Sequence, residues 1–254
     1  MSSQSRGLGW IPDLPDHRDH MYVMPFNPDE ALPASVDLRI NCPPVYDQGK
    51  LGSCTSNAIA GVLEFDQIKE SLPAIFVPSR LFIYYNERVI EGTVSSDSGA
   101  QLRDGIKTVN KQGACSETEW PYDIGKFIDQ PSDSCYQDAL QHRALTYKRV
   151  TRDLPTMKSC LAEGYPFIFG FTVYESFESD AVTKTGIVPL PQSGEKVLGG
   201  HAVVAVGYDD STQRFLVRNS WGAAWGQEGY FTMPYTYLTH RGLASDFWTV
   251  RSVD

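Results

Sequence analysis

Four residues spread along the sequence could together carry out acyl transfer through a thiol: Gln48, Cys54, His201 and Asn219. A cysteine supplies the nucleophile, a histidine the base, an asparagine the group that orients the base, and a glutamine a donor for an oxyanion. Cys54 precedes an apolar pattern that predicts a helix, and the unpaired N–H groups at a helix N-terminus favour a thiolate. Gln48 lies six residues earlier, so its side-chain NH2 and the Cys54 backbone N–H could form an oxyanion hole.

The sequence around His201 and Asn219 fits these roles. Gly199 and Gly200 precede the histidine, so a substrate backbone could approach it closely. Asn219 would accept a hydrogen bond from the imidazole, and Trp221 would cover that bond and exclude water. Each residue alone is also compatible with a structural role. Their combination is what predicts a catalytic site.

The apolar periodicity predicts mainly helices in the first half of the chain and strands later. The predicted helices cover 54–69, 79–90, 100–111 and 154–162, and the predicted strands cover 167–173, 201–208, 215–218, 229–233 and 247–250. The first helix has the apolar spacing of an element that buries one face. Helices followed by strands predict an α+β protein with two lobes.

Composition and charge narrow the function classes. The chain has 254 residues, 41% of them hydrophobic, and a net charge of -9 without blocks of like charge. An acidic surface argues against nucleic acid as a partner, and no stretch approaches the ~20 apolar residues that span a membrane. His17 and His20 are the only closely spaced histidines, so we expect no metal and no cofactor. The N-terminus lacks the apolar core of a secretory signal, which makes the cytoplasm the default expectation and leaves secretion open.

The chain contains five cysteines, an odd number and too few for a disulfide scaffold. If Cys54 is the nucleophile, four remain: Cys42, Cys115, Cys135 and Cys160. Buried free thiols are the simpler interpretation, and pairing among the four stays open.

The motifs around these residues resemble the papain-like cysteine peptidases. The resembling stretches are 43–49, 52–54, 200–203 and 219–230, and 32–39 is similar to the start of the mature enzymes. The resemblance implies a papain-like peptidase domain over 32–254, with a helical lobe mainly in 42–143 and a β-barrel-like lobe mainly in 144–254. The active site would lie in the cleft between the lobes. There a thiolate–imidazolium pair of Cys54 and His201 would hydrolyse peptide bonds in proteins through a thioester, as in a cysteine-type endopeptidase.

The sequence also departs from that family. Thr55 follows the predicted nucleophile where an aromatic residue is usual, and Leu51 and Asp97 replace both halves of a disulfide. Ala100 replaces the second glycine of a pair that contacts substrate backbone. The resemblance implies that the substrate-binding residues are Gly99, Ala100, Gln101, Leu102, Gly170, Gly199, Gly200, Ala202 and Trp221.

Residues 1–31 form an N-terminal extension that is far shorter than the family's usual propeptide, as in a microbial-type member. It is rich in Pro, Asp and His and has neither helical nor strand periodicity, but Trp10 and Tyr22 suggest that it packs on the rest of the protein. Two hypotheses follow. The extension could lie across the cleft and inhibit a zymogen, or it could be a structural arm on the back of one lobe.

Two other functions are compatible with the same residues. The machinery could serve a different acyl transfer, as in a transamidase or a non-protein amidase. The chain could also be a catalytically silent binding protein. We expect a monomer that acts on protein or peptide substrates.

Overall fold

The computed structural model describes residues 6–25, 31–143 and 146–251. The helices are α1 (Cys54–Lys69), α2 (Arg80–Glu91), α3 (Leu102–Gln112), α4 (Asp133–Ala139), α5 (Leu154–Ala162), α6 (Asp180–Thr185) and α7 (Tyr235–Thr239). The strands are β1 (Trp10–Ile11), β2 (Ser35–Asp37), β3 (Ala100–Gln101), β4 (Thr146–Arg149), β5 (Phe167–Tyr174), β6 (Val197–Asp209), β7 (Arg214–Arg218), β8 (Tyr230–Pro234) and β9 (Ala244–Arg251). The predicted two-lobed α+β class is confirmed. Residues 144 and 145, at the predicted lobe boundary, lie outside the described residues, so that boundary stays a prediction.

Local signals set the helix ends. Ser79 caps α2 by accepting a hydrogen bond from the Phe82 N–H, and Gly92 ends that helix with φ +72°. Asp153 caps α5 in the same way. The helix predicted from residue 100 begins only at Leu102, because Ala100 and Gln101 form β3 and pair in parallel with β1.

One large sheet forms the β-rich lobe. Its strand order is β4-β9-β5-β6-β7-β8, and β2 pairs with β6. Alternate residues of β5 enter two different cores: Phe167, Phe169 and Phe171 join an aromatic cluster, and Ile168 joins the cluster that contains α1. Because both faces of β5 are covered over Phe167–Phe171, that stretch has no polar side chain.

Helix α1 is buried on every side from Cys54 to Gln67, which corrects the prediction of one buried face. It packs between the sheet and helices α2 and α3. Its polar side chains find internal partners: the Thr55 hydroxyl donates to Glu87 Oε2 at 2.8 Å, and the Asn57 amide donates to Ser53 O at 2.9 Å. These bonds make burial of a partly polar helix tolerable.

The described part of the N-terminal extension, residues 6–25, is called the arm below. Its N-terminal end runs along the loop before α1, since Gly7 N–H donates to Gly49 O at 3.3 Å. Its other end reaches β4, where Tyr22 N–H donates to Arg149 O at 2.8 Å. The arm therefore crosses from one lobe to the other, and its aromatic residues Trp10 and Tyr22 are buried.

Candidate active site

Cys54 is the first residue of α1 and is fully buried. Backbone N–H groups of Ala202, Gly9 and Thr55 hydrogen-bond to its sulfur. Ala202 directly follows His201 on β6, so the start of the helix lies against the strand that carries the imidazole. Gly9 belongs to the arm, which therefore reaches the predicted nucleophile.

His201 and Asn219 are hydrogen-bonded. His201 Nε2 lies 2.8 Å from Asn219 Oδ1, and the same oxygen accepts from the Ser220 backbone N–H at 2.9 Å. Because that oxygen is an acceptor, Nε2 carries the proton in the neutral ring and Nδ1 is left as the base. Nδ1 is buried without a hydrogen-bond partner among the described residues. Trp221 stacks on the imidazole with ring centroids 4.7 Å apart.

Gln48 is held from both sides of its amide. Its Oε1 accepts from the Ser220 hydroxyl at 2.6 Å, and its backbone N–H donates to Ser220 O at 2.9 Å. Its Nε2 donates to Leu51 O at 2.9 Å and to Gly7 O of the arm at 3.0 Å. The arm thus occupies one of the two N–H groups of the predicted oxyanion donor. The sequence reasoning missed Ser220, although it directly follows Asn219 in the motif.

Two further residues support the loop before α1. Asp97, which the resemblance aligns with a cysteine of the family, accepts the Gly52 N–H with both oxygens at 3.0 Å. A hydrogen bond therefore ties the segments of Leu51 and Asp97, which the missing disulfide would otherwise join. Tyr122 donates to Gln48 O at 3.0 Å and lies 2.6 Å from the Ser53 hydroxyl. No sequence pattern singled out Tyr122, because its contact is long-range.

Burial keeps both reactive groups neutral in this state. It raises the pKa of Cys54 to about 12 and lowers the pKa of His201 to about 4. At neutral pH the sulfur is a thiol and the ring is an imidazole. The arrangement can supply a thiol and an oriented imidazole base. The covered site does not hold the predicted thiolate–imidazolium pair.

Alkylation of Cys54 should report this directly. Iodoacetamide reacts with thiolates, so in the full chain we expect Cys54 to react slowly at pH 7 and faster toward alkaline pH, because its pKa is raised to about 12. In a chain without residues 1–30 the same reaction should be fast already near neutral pH, since the solvated thiol can ionise beside His201. Mass spectrometry of the Cys54 peptide measures both rates. Identical pH profiles in the two chains would show that the arm does not control the thiol.

Three of the predicted substrate-binding residues contact the arm backbone. Ala100 N–H donates to Gly9 O at 2.8 Å, and Gln101 Oε1 accepts from Leu14 N–H at 3.0 Å. Gly99 has φ +73°, and a Cβ there would lie 2.0 Å from Gly9 O. Only a glycine fits this close approach of two backbones.

Four of the other six contact arm side chains. Gly170 and Gly200 make room for the Trp10 indole, since a Cβ on Gly170 would lie 1.9 Å from the ring and one on Gly200 would lie 2.8 Å from it. The remaining contacts are as follows: Leu102 and Ala202 share a buried cluster with Trp10, Gly199 faces Leu8, and Trp221 O accepts from Arg6 at 3.0 Å. The arm therefore contacts seven of the nine residues, and the other two, Leu102 and Ala202, belong to the same buried cluster as Trp10.

Residues 6–25, 31–143 and 146–251 contain neither a membrane-spanning helix nor a cluster of metal ligands. No helix there is long and apolar enough to cross a bilayer. No group of three or more His, Cys, Asp or Glu side chains there is placed to hold a metal ion.

Comparisons with known proteins agree with the resemblance read from the sequence. A profile described as papain family cysteine protease matches residues 32–249. A protein of Acanthamoeba polyphaga mimivirus, named an uncharacterized peptidase C1-like protein, is 44% identical over 276 residues, which cover 99% of this chain and 89% of that protein. Cathepsin S of Bos taurus is 28% identical over 226 residues, covering 86% of this chain and 65% of cathepsin S.

Solved structures match as well. Xylellain, a cysteine protease from Xylella fastidiosa, superposes with a TM-score of 0.91 at 46% identity, covering 99% of this chain and 98% of that one. Procathepsin L 3 of Tenebrio molitor shares the fold with a TM-score of 0.70 at 19% identity, covering 97% of this chain and 76% of that one. The family predicted from the motifs is thus confirmed. The chain belongs to the papain family of cysteine proteases.

Proposed function

We propose that this chain hydrolyses peptide bonds in proteins through a thioester formed on Cys54. The Cys54 sulfur attacks the substrate carbonyl, His201 takes the thiol proton and later gives it to the leaving amine, and water then hydrolyses the thioester. The hydrogen bond of 2.8 Å between His201 Nε2 and Asn219 Oδ1 carries this proposal, because it leaves Nδ1 as the base. Asn219 holds the tautomer and the ring angle.

Gln48 and the Cys54 backbone N–H are proposed as the oxyanion hole. The Gln48 amide cannot turn freely, because Ser220 holds its oxygen and Leu51 O accepts one of its two N–H bonds. The second N–H now points to Gly7 O and would be available to a substrate once the arm has left. A fixed donor of this kind stabilises a tetrahedral intermediate by about 3 kcal/mol.

A random peptide pool tests the reaction class. The chain without residues 1–30 should cleave peptides internally and release free carboxyl ends, which mass spectrometry detects. The same assay with an excess of a primary amine separates the alternatives: predominant amide products would indicate a transamidase. A folded chain that leaves the pool intact and does not react at Cys54 would indicate a binding protein.

We further propose that the arm inhibits the enzyme by occupying the substrate cleft. The contacts of Gly7 with Gln48, of Gly9 with Cys54, and of Trp10 with the glycine-lined pocket support this hypothesis over a structural arm on the back of a lobe. At the sulfur the arm presents the Gly9 N–H, where a substrate would present a carbonyl carbon. An arm in this position blocks the nucleophile without offering it a bond to cleave.

Beyond the cleft, a cluster of charged groups anchors the arm. Asp19 accepts from Arg103 at 3.0 and 2.7 Å and from Arg149 at 3.0 Å. Asp13 accepts from the Arg103 backbone N–H at 3.0 Å and from Trp248 Nε1 at 2.9 Å. We call Asp13, Asp19, Arg103 and Arg149 the anchor cluster.

Asp19→Ala should weaken the docking of the arm without changing any residue of the cleft. Arg103 would lose its bidentate partner in a nearly buried position, which costs about 3 kcal/mol, although neighbouring acceptors reduce that loss. We expect hydrolysis by the full chain to rise about 10-fold or more, since each 1.4 kcal/mol changes the open population tenfold. The assay compares initial rates of the two full chains on one peptide.

Asp16→Ala is the matched control, because the ion pair that Asp16 forms within the described part of the chain is with the exposed Arg18 of the arm, and it acts on Arg103 only as a more distant charge. Its rate should equal that of the unmodified chain. If Asp19→Ala also leaves the rate unchanged while remaining folded, the anchor cluster does not hold the arm closed.

The pocket around Trp10 suggests the substrate preference. An indole fits there because Gly170 and Gly200 lack side chains, and Trp10 belongs to a buried cluster of apolar residues that includes Ile168. We therefore propose that the enzyme accepts large aromatic side chains in this pocket. The products of the peptide pool would reveal this preference at a fixed distance from the cleaved bond.

A further inference from the structure

Two cysteines outside the site described above lie side by side. Cys115 follows α3 and Cys135 lies in α4; both are free thiols in this structure, and the nearby Cys135 thiol helps to raise the pKa of Cys115. Their exposed fractions are 0% and 1%, and they share one buried cluster with Phe82 and Ala139. About 20 residues separate them in sequence, so the contact depends on tertiary structure.

The backbone holds both cysteines in place. Cys115 O accepts from the Ser79 N–H at 2.8 Å, and the next residue, Ser116, donates its N–H to Asp138 Oδ2 at 3.0 Å. Asp138 lies in α4 like Cys135, so the hydrogen bond ties the two cysteine segments together beside the sulfurs.

The other cysteines have different neighbours. The Cys42 thiol donates to Leu38 O at 3.7 Å, and the Cys160 thiol donates to Tyr165 O at 3.6 Å. Cys54 lies in the candidate active site. Cys115 and Cys135 are thus the pair that the fold selects.

We propose that Cys115 and Cys135 form a disulfide when the chain folds in the presence of a small disulfide such as oxidised glutathione. The Cys115 thiolate attacks the glutathione disulfide and releases one glutathione. Cys135 then attacks the Cys115 sulfur and releases the second glutathione, so two cysteine thiols are oxidised and one glutathione disulfide is reduced. Burial raises the pKa of Cys115, so the folded thiol reacts slowly and pairing belongs to the folding stage.

The disulfide would close the loop 116–134, which supports the active site. Tyr122 in this loop contacts Gln48 O and Ser53, and Trp120 O accepts from the Ser79 hydroxyl at 2.6 Å. A cross-link over about 20 residues restricts the unfolded chain, and we expect it to raise the Tm by about 5–10 °C. This inference does not depend on the proposed catalytic roles.

Peptide mapping tests the pairing. The full chain is refolded from denaturant in a buffer of reduced and oxidised glutathione, alkylated and digested without reduction. We expect a linked peptide pair containing Cys115 and Cys135 that is two hydrogens lighter than the free pair, with Cys42 and Cys160 alkylated. Refolding with dithiothreitol instead should lower the Tm by the amount given above.

Alanine variants test whether the mapped disulfide is the cause of the Tm difference. Cys115→Ala and Cys135→Ala should each abolish the Tm difference between oxidised and reduced samples, and Cys42→Ala should preserve it. The proposal is overturned if both cysteines are alkylated in most oxidised chains, if they are linked to other cysteines, or if the Tm difference survives in either alanine variant. Mapping of the unmodified chain decides the matter even if the variants fold poorly.

Discussion

Removing residues 1–30 should raise peptide hydrolysis at least about a hundredfold. Burying Trp10 alone stabilises the docked arm by about 2–3 kcal/mol, and the anchor cluster adds to this, so the open population of the full chain is small. Removal also frees the second N–H of Gln48 and exposes Cys54 to water. The measurement is kcat/KM of the two chains on one peptide, with circular dichroism to show that both are folded.

Gly9→Ala tests the same hypothesis without deleting residues, because it displaces the arm in a full-length chain. A Cβ at Gly9 would lie 1.8 Å from Gly52 O, so the arm must move away from the cleft. The full-length variant should show part of the gain seen on removal. Val23→Ala, on an exposed arm residue, should show none. The hypothesis of inhibition fails if a folded chain without the arm is no more active than the full chain.

Replacing His201 by alanine in the arm-free chain should lower kcat/KM by about 10⁴-fold, because the thiol loses its base. Gln48→Ala should have a smaller effect, about 10²-fold and mainly on kcat, because it removes one oxyanion donor. Rates are measured on one peptide for each variant. Cys160→Ala, on a buried cysteine whose thiol donates to Tyr165 O, is the control and should retain full activity.

The kinetic constants of Gln48→Ala and His201→Ala test the two proposed roles separately. If Gln48→Ala changes KM and leaves kcat unaltered, the amide binds substrate without stabilising an oxyanion. If His201→Ala stays within tenfold of the parent, His201 is not the base.

Local sequence signals were sufficient for the starts of α2 and α5 and for the family. Ser79 and Asp153 cap α2 and α5 within one residue of the predicted starts, because capping depends only on neighbouring residues. Trp221 and Asn219 lie in one short motif, and its spacing from Cys54 indicated the family. The fold class followed from helices preceding strands.

Long-range pairing could not be predicted in the same way. The strand β1 has two residues, Trp10 and Ile11, and exists only because β3 lies beside it. Burial of α1 on all sides depends on what covers its polar positions, such as Glu87 beneath Thr55. The hydrogen bond from Gly52 to Asp97 replaces a disulfide whose two halves are absent, and only the tertiary structure brings these residues together.

Labelling with a thiol-directed epoxide tests the central claim, that Cys54 becomes an activated nucleophile once the arm leaves. In the arm-free chain at pH 5–7 we expect one label per chain, on Cys54, retained in Cys160→Ala and lost in Cys54→Ala. The unmodified full chain should label far more slowly, because its Cys54 is buried with its pKa raised to about 12. Absence of any label on the folded arm-free chain, or labelling that persists in Cys54→Ala, would contradict the account.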